Sequence, residues 1–387
     1  MRLPNKWRQV LLVLALLLLS RIVLFGLGYA TNRSLEPASW THWDGGWYTK
    51  IMEHGYDNSL PDLPPTDPKC HQGLGLCQKN VAFFPLYPTV SKTVGDLLQI
   101  DYRYAGLIVS NLCFFAAGLL LFRLAKKLFQ DSSVAWKSLF LYAFFPFSYI
   151  FSGVMTESIF IFLLLAGYSL ALEKKYLAAG LVGLLLSASR NTGVLFVIPL
   201  FLVWLESKNH VTFRNIFTKL WQNKTLLLAL ILVPLGLLTF MYFLNSQVGD
   251  SLAFINIQQY WDKPVLGLNP IFAIFFALID KRMEGSWITH LMNLTVVFMS
   301  LALFAYSVKT KLLKMSLNNL LLWIIVPMTA GTLLAMGRYA AVAFPLYLVL
   351  GFVINKYKFL RWFVYFGFVI SFLVLGWFYY QGTWITV

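Results

Sequence analysis

One carboxylate in this sequence lies in surroundings suited to proton transfer. Asp44 stands between Trp43 and Trp47 and directly before two glycines, within the stretch 41–48. Glycine lets a backbone turn tightly and approach a ligand closely, and indole rings favour the membrane–water interface and can stack on a sugar ring. A carboxylate held there can accept a proton from a hydroxyl, so Asp44 is the predicted general base. The alternative is an ordinary surface loop with an interfacial aromatic belt.

Charged residues recur where apolar segments begin or end. Glu157 starts one such segment, and Arg190 and Arg338 lie in short turns between others. Ionisable residues at or inside a membrane are costly and usually face a cavity or a partner, and two arginines suit a phosphate because a guanidinium grips it at two points. Each also has a simpler interpretation, since an acid is favoured at a helix N-terminus and arginines can snorkel to the interface. We predict that all three bind substrate, together with the neighbours Asn191 and Tyr339.

Aromatic residues supply the remaining candidates. The side chains around the carboxylate are expected to bind substrate: His42, Trp43, Trp47 and Tyr48. Residues 83–88, FFPLYP, are too short and too proline-broken to cross a bilayer, which indicates the start of an interfacial or re-entrant helix. Three of its side chains are predicted to contact lipid: Phe83, Phe84 and Tyr87.

The sequence predicts no metal ligand and no certain cofactor. Asp44 and Glu157 could share a divalent cation, but two carboxylates alone do not define a site. Cys70, His71 and Cys77 resemble half a zinc site without a second pair of ligands. The two cysteines could instead form a disulfide if their loop lies outside the cytosol.

The composition places these residues in a membrane protein. The chain has 387 residues, of which 59% are hydrophobic and 12% are charged, against about 25% charged residues in soluble domains. Apolar runs of about 20 residues recur from end to end, which predicts a single all-α polytopic membrane domain over 1–387. The first run follows several basic residues and has no clear cleavage site, so we interpret it as a retained signal anchor. The predicted spans, about eleven, are 10–29, 103–122, 135–153, 156–172, 176–190, 193–205, 225–244, 289–308, 318–335, 340–354 and 362–380.

Basic residues predict the orientation of these spans. One alternating set of connections holds most of the lysines and arginines and, as acids, only Asp131, Glu173 and Glu206. Cytosolic loops carry such an excess, so the N-terminus is predicted in the cytosol and the C-terminus outside. Large outer loops are expected at about 30–102 and 245–288. The net charge of +15 therefore follows the topology and does not indicate a nucleic-acid partner.

Several blocks of this chain together resemble the PIG-V-type mannosyltransferases. The most specific are HWDGGWY at 42–48, followed by Ile51 and Gly55-Tyr56, and FFPLYP at 83–88. The later blocks are weaker alone but stand in the same order: 156–158, 190–193, 338–339 and 344–346. Cys70 and Cys77 depart from the family pattern and, with the compact length, indicate a prokaryotic relative.

The resemblance implies a GT-C fold with its active site on the non-cytosolic face. The donor would be a polyprenyl-phosphate sugar, such as dolichyl-phosphate mannose, and the acceptor a hydroxyl of a lipid-linked or glycan molecule. An acid in the first outer loop acts as base in such enzymes, and Asp44 matches that position. The membrane would be the plasma membrane in a bacterium or the endoplasmic reticulum in a eukaryote.

Two other functions remain open from the sequence. A lipid or solute transporter, or a flippase, would have broken helices with polar residues near mid-membrane, often in repeated halves. Here the polar residues gather at one face and no repeat is evident. Another GT-C enzyme, such as a lipid-linked saccharide ligase, would share the architecture and differ in substrates.

Overall fold

The structure, a computed structural model, describes residues 5–34, 36–71, 77–208, 215–261, 287–324 and 335–383. The described residues form helices and connecting segments without any strand. We number the α-helices in chain order: α1 Asn5–Asn32, α2 Asp44–His54, α3 Leu86–Leu98, α4 Tyr102–Phe129, α5 Ser132–Ala143, α6 Glu157–Leu172, α7 Tyr176–Ser189, α8 Val197–Glu206, α9 Ile216–Gln222, α10 Lys224–Val248, α11 Ala253–Asn256, α12 Trp287–Lys309, α13 Met315–Leu321, α14 Met336–Val342, α15 Pro345–Lys356 and α16 Lys358–Tyr380.

The long apolar helices confirm an integral, multi-pass membrane protein. Five helices in the described ranges are long and apolar enough to cross a bilayer, namely α1, α4, α10, α12 and α16. Helices α14 and α15 are bent by 79° and would together make a sixth span. The predicted count of eleven spans is not confirmed. Helices α6, α7 and α8 are shorter than the five spanning helices, and the predicted spans 135–153 and 340–354 are each interrupted.

The predicted span 135–153 is the clearest difference. Helix α5 ends at Ala143, and the chain then forms a 3-10 turn over Ser148–Ser152 before α6 begins at Glu157. The apolar pattern continues through 144–155, which is why the sequence suggested one helix; Pro146 has no backbone N–H for a helical hydrogen bond. The span predicted at 318–335 lies partly outside the described residues.

Helix α4 is central to the half of the molecule that holds the predicted site. It packs against α1, α3, α5 and α6. The Asp101 side chain caps its first turn by accepting a hydrogen bond from the Arg103 N–H at 2.8 Å. Because α4 touches both the break before α6 and the helices after α1, it brings these regions together.

The described residues between 36 and 98 pack against the helices. Helix α2 contacts α3 and α4, and α3 begins at Leu86, as the FFPLYP block predicted. The Asp57 side chain accepts hydrogen bonds from Lys50 Nζ and the Asn80 N–H, both at 2.8 Å. Cys70 and Cys77 form a disulfide. The predicted second loop, 245–288, lies outside the described residues from 262 to 286.

Candidate active site

Four charged side chains form one continuous network. Arg338 Nη2 donates to Asp44 Oδ2 at 2.6 Å and to Glu157 Oε1 at 2.7 Å. Arg338 Nε also donates to Glu157 Oε1, at 3.0 Å, and Arg190 Nη1 donates to the same oxygen at 2.7 Å. Two carboxylates and two guanidiniums balance in charge. The structure therefore joins the predicted base to the three charged residues that the sequence proposed for substrate binding.

Burial differs across this network. The Glu157 side chain is fully buried, whereas the Asp44 side chain is 33% exposed. Arg190 and Arg338 lie between these extremes. Asp44 is therefore the member best placed to meet a reacting molecule, and Glu157 lies behind the arginines.

A strained turn presents Asp44. The His42 carbonyl accepts a hydrogen bond from the Gly45 N–H at 3.0 Å, and Trp43, the second residue of this turn, has φ 57° and ψ −117°. That conformation belongs to type II′ turns and normally requires glycine. A non-glycine residue held there costs about 1–3 kcal/mol, and such strain clusters at functional sites. The turn makes Asp44 the first residue of α2.

The two glycines after Asp44 have different surroundings. A Cβ at Gly45 would lie 3.3 Å from both the Thr41 side chain and the Val154 carbonyl oxygen, so α2 rests closely on the segment before α6. A Cβ at Gly46 would meet nothing within 4 Å. Gly45 thus allows close packing, and Gly46 borders open space.

Arg338 is placed by a close backbone approach. It follows Gly337 in α14, where a Cβ would overlap the Phe147 ring. The Gly337 N–H donates to Asn293 Oδ1 at 3.1 Å. Glycine is needed here because the backbone lies directly against an aromatic side chain. This contact ties α14 to the break between α5 and α6.

Aromatic rings surround the Arg190 guanidinium. Its Cζ lies 5.1 Å from the Tyr339 ring centroid and 5.9 Å from that of Phe160, within the range of cation–π attraction. Tyr339 therefore lies in the site. Asn191, in contrast, is exposed, and its Oδ1 accepts a hydrogen bond from the adjacent Thr192 N–H at 2.7 Å, so in this structure its side chain caps a turn.

The predicted aromatic residues divide between the site and the core. The Trp47 ring stacks on Phe83 with centroids 5.9 Å apart. Tyr48 is buried, and burial together with the Asp44 charge raises the pKa of its hydroxyl, which therefore stays protonated near neutral pH. The His42 ring packs edge-on against Tyr379 at 5.3 Å, and burial lowers its pKa. A protonated Tyr48 is not a base, and the His42 Nε2 is buried, so the partly exposed Asp44 is the stronger candidate base.

Two of the three predicted lipid contacts are core residues in the structure. Tyr87 is fully buried, and its hydroxyl donates to the Gly106 carbonyl at 3.0 Å. Phe84 is 5% exposed and packs against Phe240 and Phe254. Their burial corrects the expectation that they contact lipid, because protein atoms cover both rings. Phe83 remains partly exposed.

The Asp44 and Glu157 carboxylates are not arranged to bind a divalent cation together. Asp44 and Glu157 are bridged by the Arg338 guanidinium, whose positive charge stands where a shared cation would bind. Among the described residues, no cluster of three or more His, Cys, Asp or Glu side chains has metal-binding geometry. The arrangement suits an anion that exchanges with a carboxylate on an arginine.

A small apolar cavity adjoins the arginine side of the network. Its volume is about 20 Å³, and its walls include Phe160, Tyr339, Leu164 and Trp323. Such a volume holds about one water molecule. The two rings beside Arg190 are also walls of this cavity, so the guanidinium has an apolar surface on that side.

The sequence analysis did not identify several residues that shape the site. Arg21, within the first apolar run, contacts the break before α6. The Tyr379 hydroxyl donates to the Trp40 carbonyl at 3.0 Å, and that carbonyl also accepts from the Val154 N–H. An arginine inside an apolar run was a readable signal. Tyr379 gave none, since it lies among other aromatic residues of α16.

Comparison with known proteins finds weak similarity to two mannosyltransferases. No protein-family profile matches the chain. GPI mannosyltransferase 2 from Drosophila pseudoobscura pseudoobscura is 27% identical over 223 residues, covering 52% of this chain and 43% of that protein. The Drosophila melanogaster protein of that name is 28% identical over 130 residues, covering 31% of this chain and 24% of its own length. This chain thus spans less than half the length of the curated relatives it matches.

A solved structure confirms the predicted fold. The apo oligosaccharyltransferase of Archaeoglobus fulgidus superposes with a TM-score of 0.51 and 15% identity, over 97% of this chain and 55% of that one. At this identity the likeness shows a shared fold alone. The sequence similarity to GPI mannosyltransferase 2 and this fold agree with the PIG-V resemblance of the motifs.

Proposed function

We propose that this protein is a membrane glycosyltransferase that moves mannose or another hexose from a polyprenyl-phosphate sugar to a hydroxyl of a lipid-linked or glycan acceptor. The observation that carries the proposal is the bridge from Arg338 to both Asp44 and Glu157. It sets a partly exposed carboxylate beside cationic groups suited to a phosphate. The similarity to GPI mannosyltransferase 2 supports the same reaction class.

The proposed reaction is a direct displacement. Asp44 accepts the proton of an acceptor hydroxyl, whose oxygen forms a bond to the anomeric carbon. The bond between that carbon and the phosphate oxygen breaks, and the electron pair leaves with the polyprenyl phosphate. Arg190 and Arg338 stabilise the charge on the departing phosphate. Attack opposite the leaving group inverts the anomeric configuration.

Donor binding prepares the base in this scheme. Without donor, Arg338 holds the Asp44 carboxylate at 2.6 Å. The phosphate of the incoming substrate would compete with Asp44 for the same guanidinium N–H groups. The Asp44 carboxylate then loses its contact with a positive charge, which makes it a better proton acceptor. Within the described residues Arg190 joins the network through Nη1 alone, so its other N–H groups can bind the phosphate. The base is thus released when the sugar arrives.

Glu157 has a positioning role in this account. It is fully buried and accepts hydrogen bonds from both arginines. Its charge fixes two like-charged side chains close together, which would otherwise repel. The substrate binding that the sequence suggested for Glu157 is therefore indirect.

The aromatic rings beside Arg190 support a prenyl group on the donor. Phe160 and Tyr339 flank both the guanidinium and the small apolar cavity. A phosphate at Arg190 would bring the first carbons of the prenyl chain near these rings. The cavity itself, at about 20 Å³, does not hold an isoprene unit, so the side chains around it would have to move apart to admit the tail.

The disulfide supports a non-cytosolic site. Cys70 and Cys77 lie in the same segment as α2, which begins with Asp44. Disulfides persist in oxidising compartments and are rare in the cytosol. The bias of basic residues places this segment outside as well. With the N-terminus in the cytosol, the reaction would occur on the external or lumenal face.

Purified protein with defined substrates tests the proposal. We expect transfer from polyprenyl-phosphate mannose or polyprenyl-phosphate glucose to at least one member of a panel of lipid and glycan acceptors. The anomeric configuration of the transferred sugar should be inverted relative to the donor. Transfer from a nucleotide sugar alone, or an unchanged donor with every acceptor, would contradict it. Product formation from a lipid-linked oligosaccharide only would instead favour a saccharide ligase.

A further inference from the structure

A buried arginine supports the break before the site. Arg21 lies inside α1 and is 2% exposed. Its Nε donates to Ser20 Oγ at 3.2 Å. Its Nη1 donates to the Ser148 carbonyl at 2.9 Å and to Ser152 Oγ at 3.0 Å, and its Nη2 donates to the Ala143 carbonyl at 3.1 Å and to Ser148 Oγ at 2.7 Å. A guanidinium has five N–H groups, and all of them are used.

The surroundings of Arg21 are neutral. Its Cζ lies 4.1 Å from the Phe114 ring centroid, a further cation–π stabilisation. Within the described residues it forms no ion pair with a carboxylate. A charge inside an apolar helix is costly, and an apolar residue could fill the same space more cheaply. The arginine therefore has a specific use, which is to bind polar groups where a membrane helix is interrupted.

Those polar groups belong to the break between α5 and α6. The Ala143 carbonyl is at the end of α5, where helix carbonyls lack partners. Ser148 and Ser152 begin and end the 3-10 turn that follows. One side chain from α1 thus binds the carbonyls of Ala143 and Ser148 and the hydroxyls at both ends of the 3-10 turn.

The far end of the break leads directly into the candidate site. Ser152 Oγ donates to Asn111 Oδ1, and the Gly153 carbonyl accepts from Ser110 Oγ, both at 2.7 Å on α4. Val154 then packs against Gly45, and Glu157 follows as the first residue of α6. An uninterrupted chain of contacts therefore links Arg21 to the carboxylate that orients both arginines.

We propose that Arg21 is a positioning residue for glycosyl transfer. Its five hydrogen bonds fix the break at 144–156, and that backbone holds Glu157 where Arg190 and Arg338 bind it. The activity part of this inference rests on the proposed function; the structural part does not. Arg21 itself touches no reacting atom.

Two measurements on the full-length protein in detergent test the inference. The first is hydrogen–deuterium exchange of peptides covering 144–156, which needs no substrate. The second is the separation of kcat from the KM for acceptor. The variants are Arg21→Met, Arg21→Lys and, as a matched control, Arg123→Met, which removes an exposed arginine from α4.

We expect exchange in 144–156 to rise about tenfold or more in Arg21→Met, because several charge-assisted hydrogen bonds are lost. Exchange in α10 should stay unchanged. The kcat should fall about tenfold with little change in the KM for acceptor. Arg21→Lys should recover part of both effects, since lysine keeps the charge but offers three N–H donors. Arg123→Met should resemble the unmodified protein in both measurements.

The outcomes separate this inference from the proposed function. Unchanged exchange at 144–156 in a folded Arg21→Met protein would overturn the positioning role. Increased exchange with an unchanged kcat would overturn it as well. If Arg21→Met does not fold, Arg21→Lys decides by the same comparison. If the unmodified protein transfers no sugar, the proposed function fails, and the exchange result still decides the structural part.

Discussion

Arg21 and Arg338 are both buried arginines in the membrane part of the molecule, yet their partners differ in kind. Arg21 binds carbonyl and hydroxyl oxygens that are fixed by the fold. Arg338 binds two carboxylates, one of which, Asp44, is 33% exposed. A fixed neutral set of acceptors stabilises one arrangement. A charged partner at the surface can be exchanged for another anion, which is what binding a phosphate requires.

Because their partners differ, removing Arg21 and removing Arg338 should affect stability and donor binding differently. Removing a buried arginine leaves its acceptors without partners in both cases. At Arg21 these acceptors are backbone and serine groups, whereas at Arg338 they are ionised. Loss of Arg338 should therefore affect stability and the donor site together. Loss of Arg21 should act on the site only through the backbone.

The largest expected effect on stability and on polyprenyl-phosphate binding is that of Arg338→Ala. Removing one partner of a buried ion pair costs about 3–5 kcal/mol, and Arg190 remains to pair with Glu157, so we expect the lower end of this range. Polyprenyl-phosphate binding should weaken about 30-fold or more, since a charge-assisted contact is worth about 2 kcal/mol or more. Isothermal titration with polyprenyl phosphate and chemical denaturation measure the two effects.

Arg338→Lys is the informative companion variant. It restores the charge but not the two-point grip, so it should recover stability more than donor affinity. Normal donor binding by the alanine variant would show that Arg338 does not bind the phosphate.

Gly337→Ala should give the next largest effect, with no change in charge. The added methyl would overlap the Phe147 ring, so α14 must shift and carry Arg338 away from Asp44. We expect transfer to fall at least about tenfold, because displacements of about 1 Å disturb attack geometry. Gly367→Ala on α16 is the matched control, as its Cβ would meet nothing within 4 Å. Equal activity of both variants would argue against a close packing requirement at α14.

Glu157→Gln tests the positioning role of the buried carboxylate. The amide keeps the size but loses the charge that holds the two arginines together. We expect kcat to fall about tenfold and the melting temperature to fall as well. A fall in kcat of about a hundredfold or more, the size expected when a general base is lost, would indicate that Glu157 has a direct catalytic role.

Gly46→Ala is the smallest change and separates stability from activity. Gly46 lies within α2 and its Cβ would meet open space, so the alanine should raise the free energy of unfolding by about 0.5–1 kcal/mol. The methyl would enter open space two residues from Asp44, and an acceptor that reaches Asp44 across this part of α2 would meet it. The kcat/KM for acceptor should therefore fall several-fold while the protein becomes more stable. An unchanged kcat/KM would place the acceptor elsewhere.

The sequence indicated the four charged residues of the network better than it indicated their contacts with one another. Asp44, Glu157, Arg190 and Arg338 were recognisable because ionisable groups are rare in apolar chains. The sequence did not reveal that Arg338 bridges the two carboxylates, because the Asp44–Arg338 contact joins positions 294 residues apart. That contact depends on the bend between α14 and α15, which no local pattern encodes.

The fold, too, was predicted only as far as local sequence patterns allow. Composition was sufficient for an all-helical membrane protein, and the FFPLYP block correctly predicted a helix start. The break at 144–156 was missed because its residues are as apolar as those of a span. Burial, which hydropathy reports, is common to both conformations. The hydrogen bonds that stabilise the break come from residues distant in sequence, Arg21 on α1 and Ser110 on α4 among them. Phe84 and Tyr87 were misassigned for a related reason, since hydropathy does not distinguish a lipid contact from a core contact.

The most direct test of this account is the rate of glycosyl transfer by Asp44→Asn. The amide keeps the size of the side chain and can still accept a hydrogen bond from Arg338, but it cannot take up the proton. Asp96→Asn, which changes an exposed carboxylate on α3, is the matched control. We predict that turnover falls about a hundredfold or more in Asp44→Asn, with folding and polyprenyl-phosphate binding retained, and stays normal in Asp96→Asn. A folded Asp44→Asn protein with near-normal transfer would contradict the account and leave Glu157 as the next candidate base.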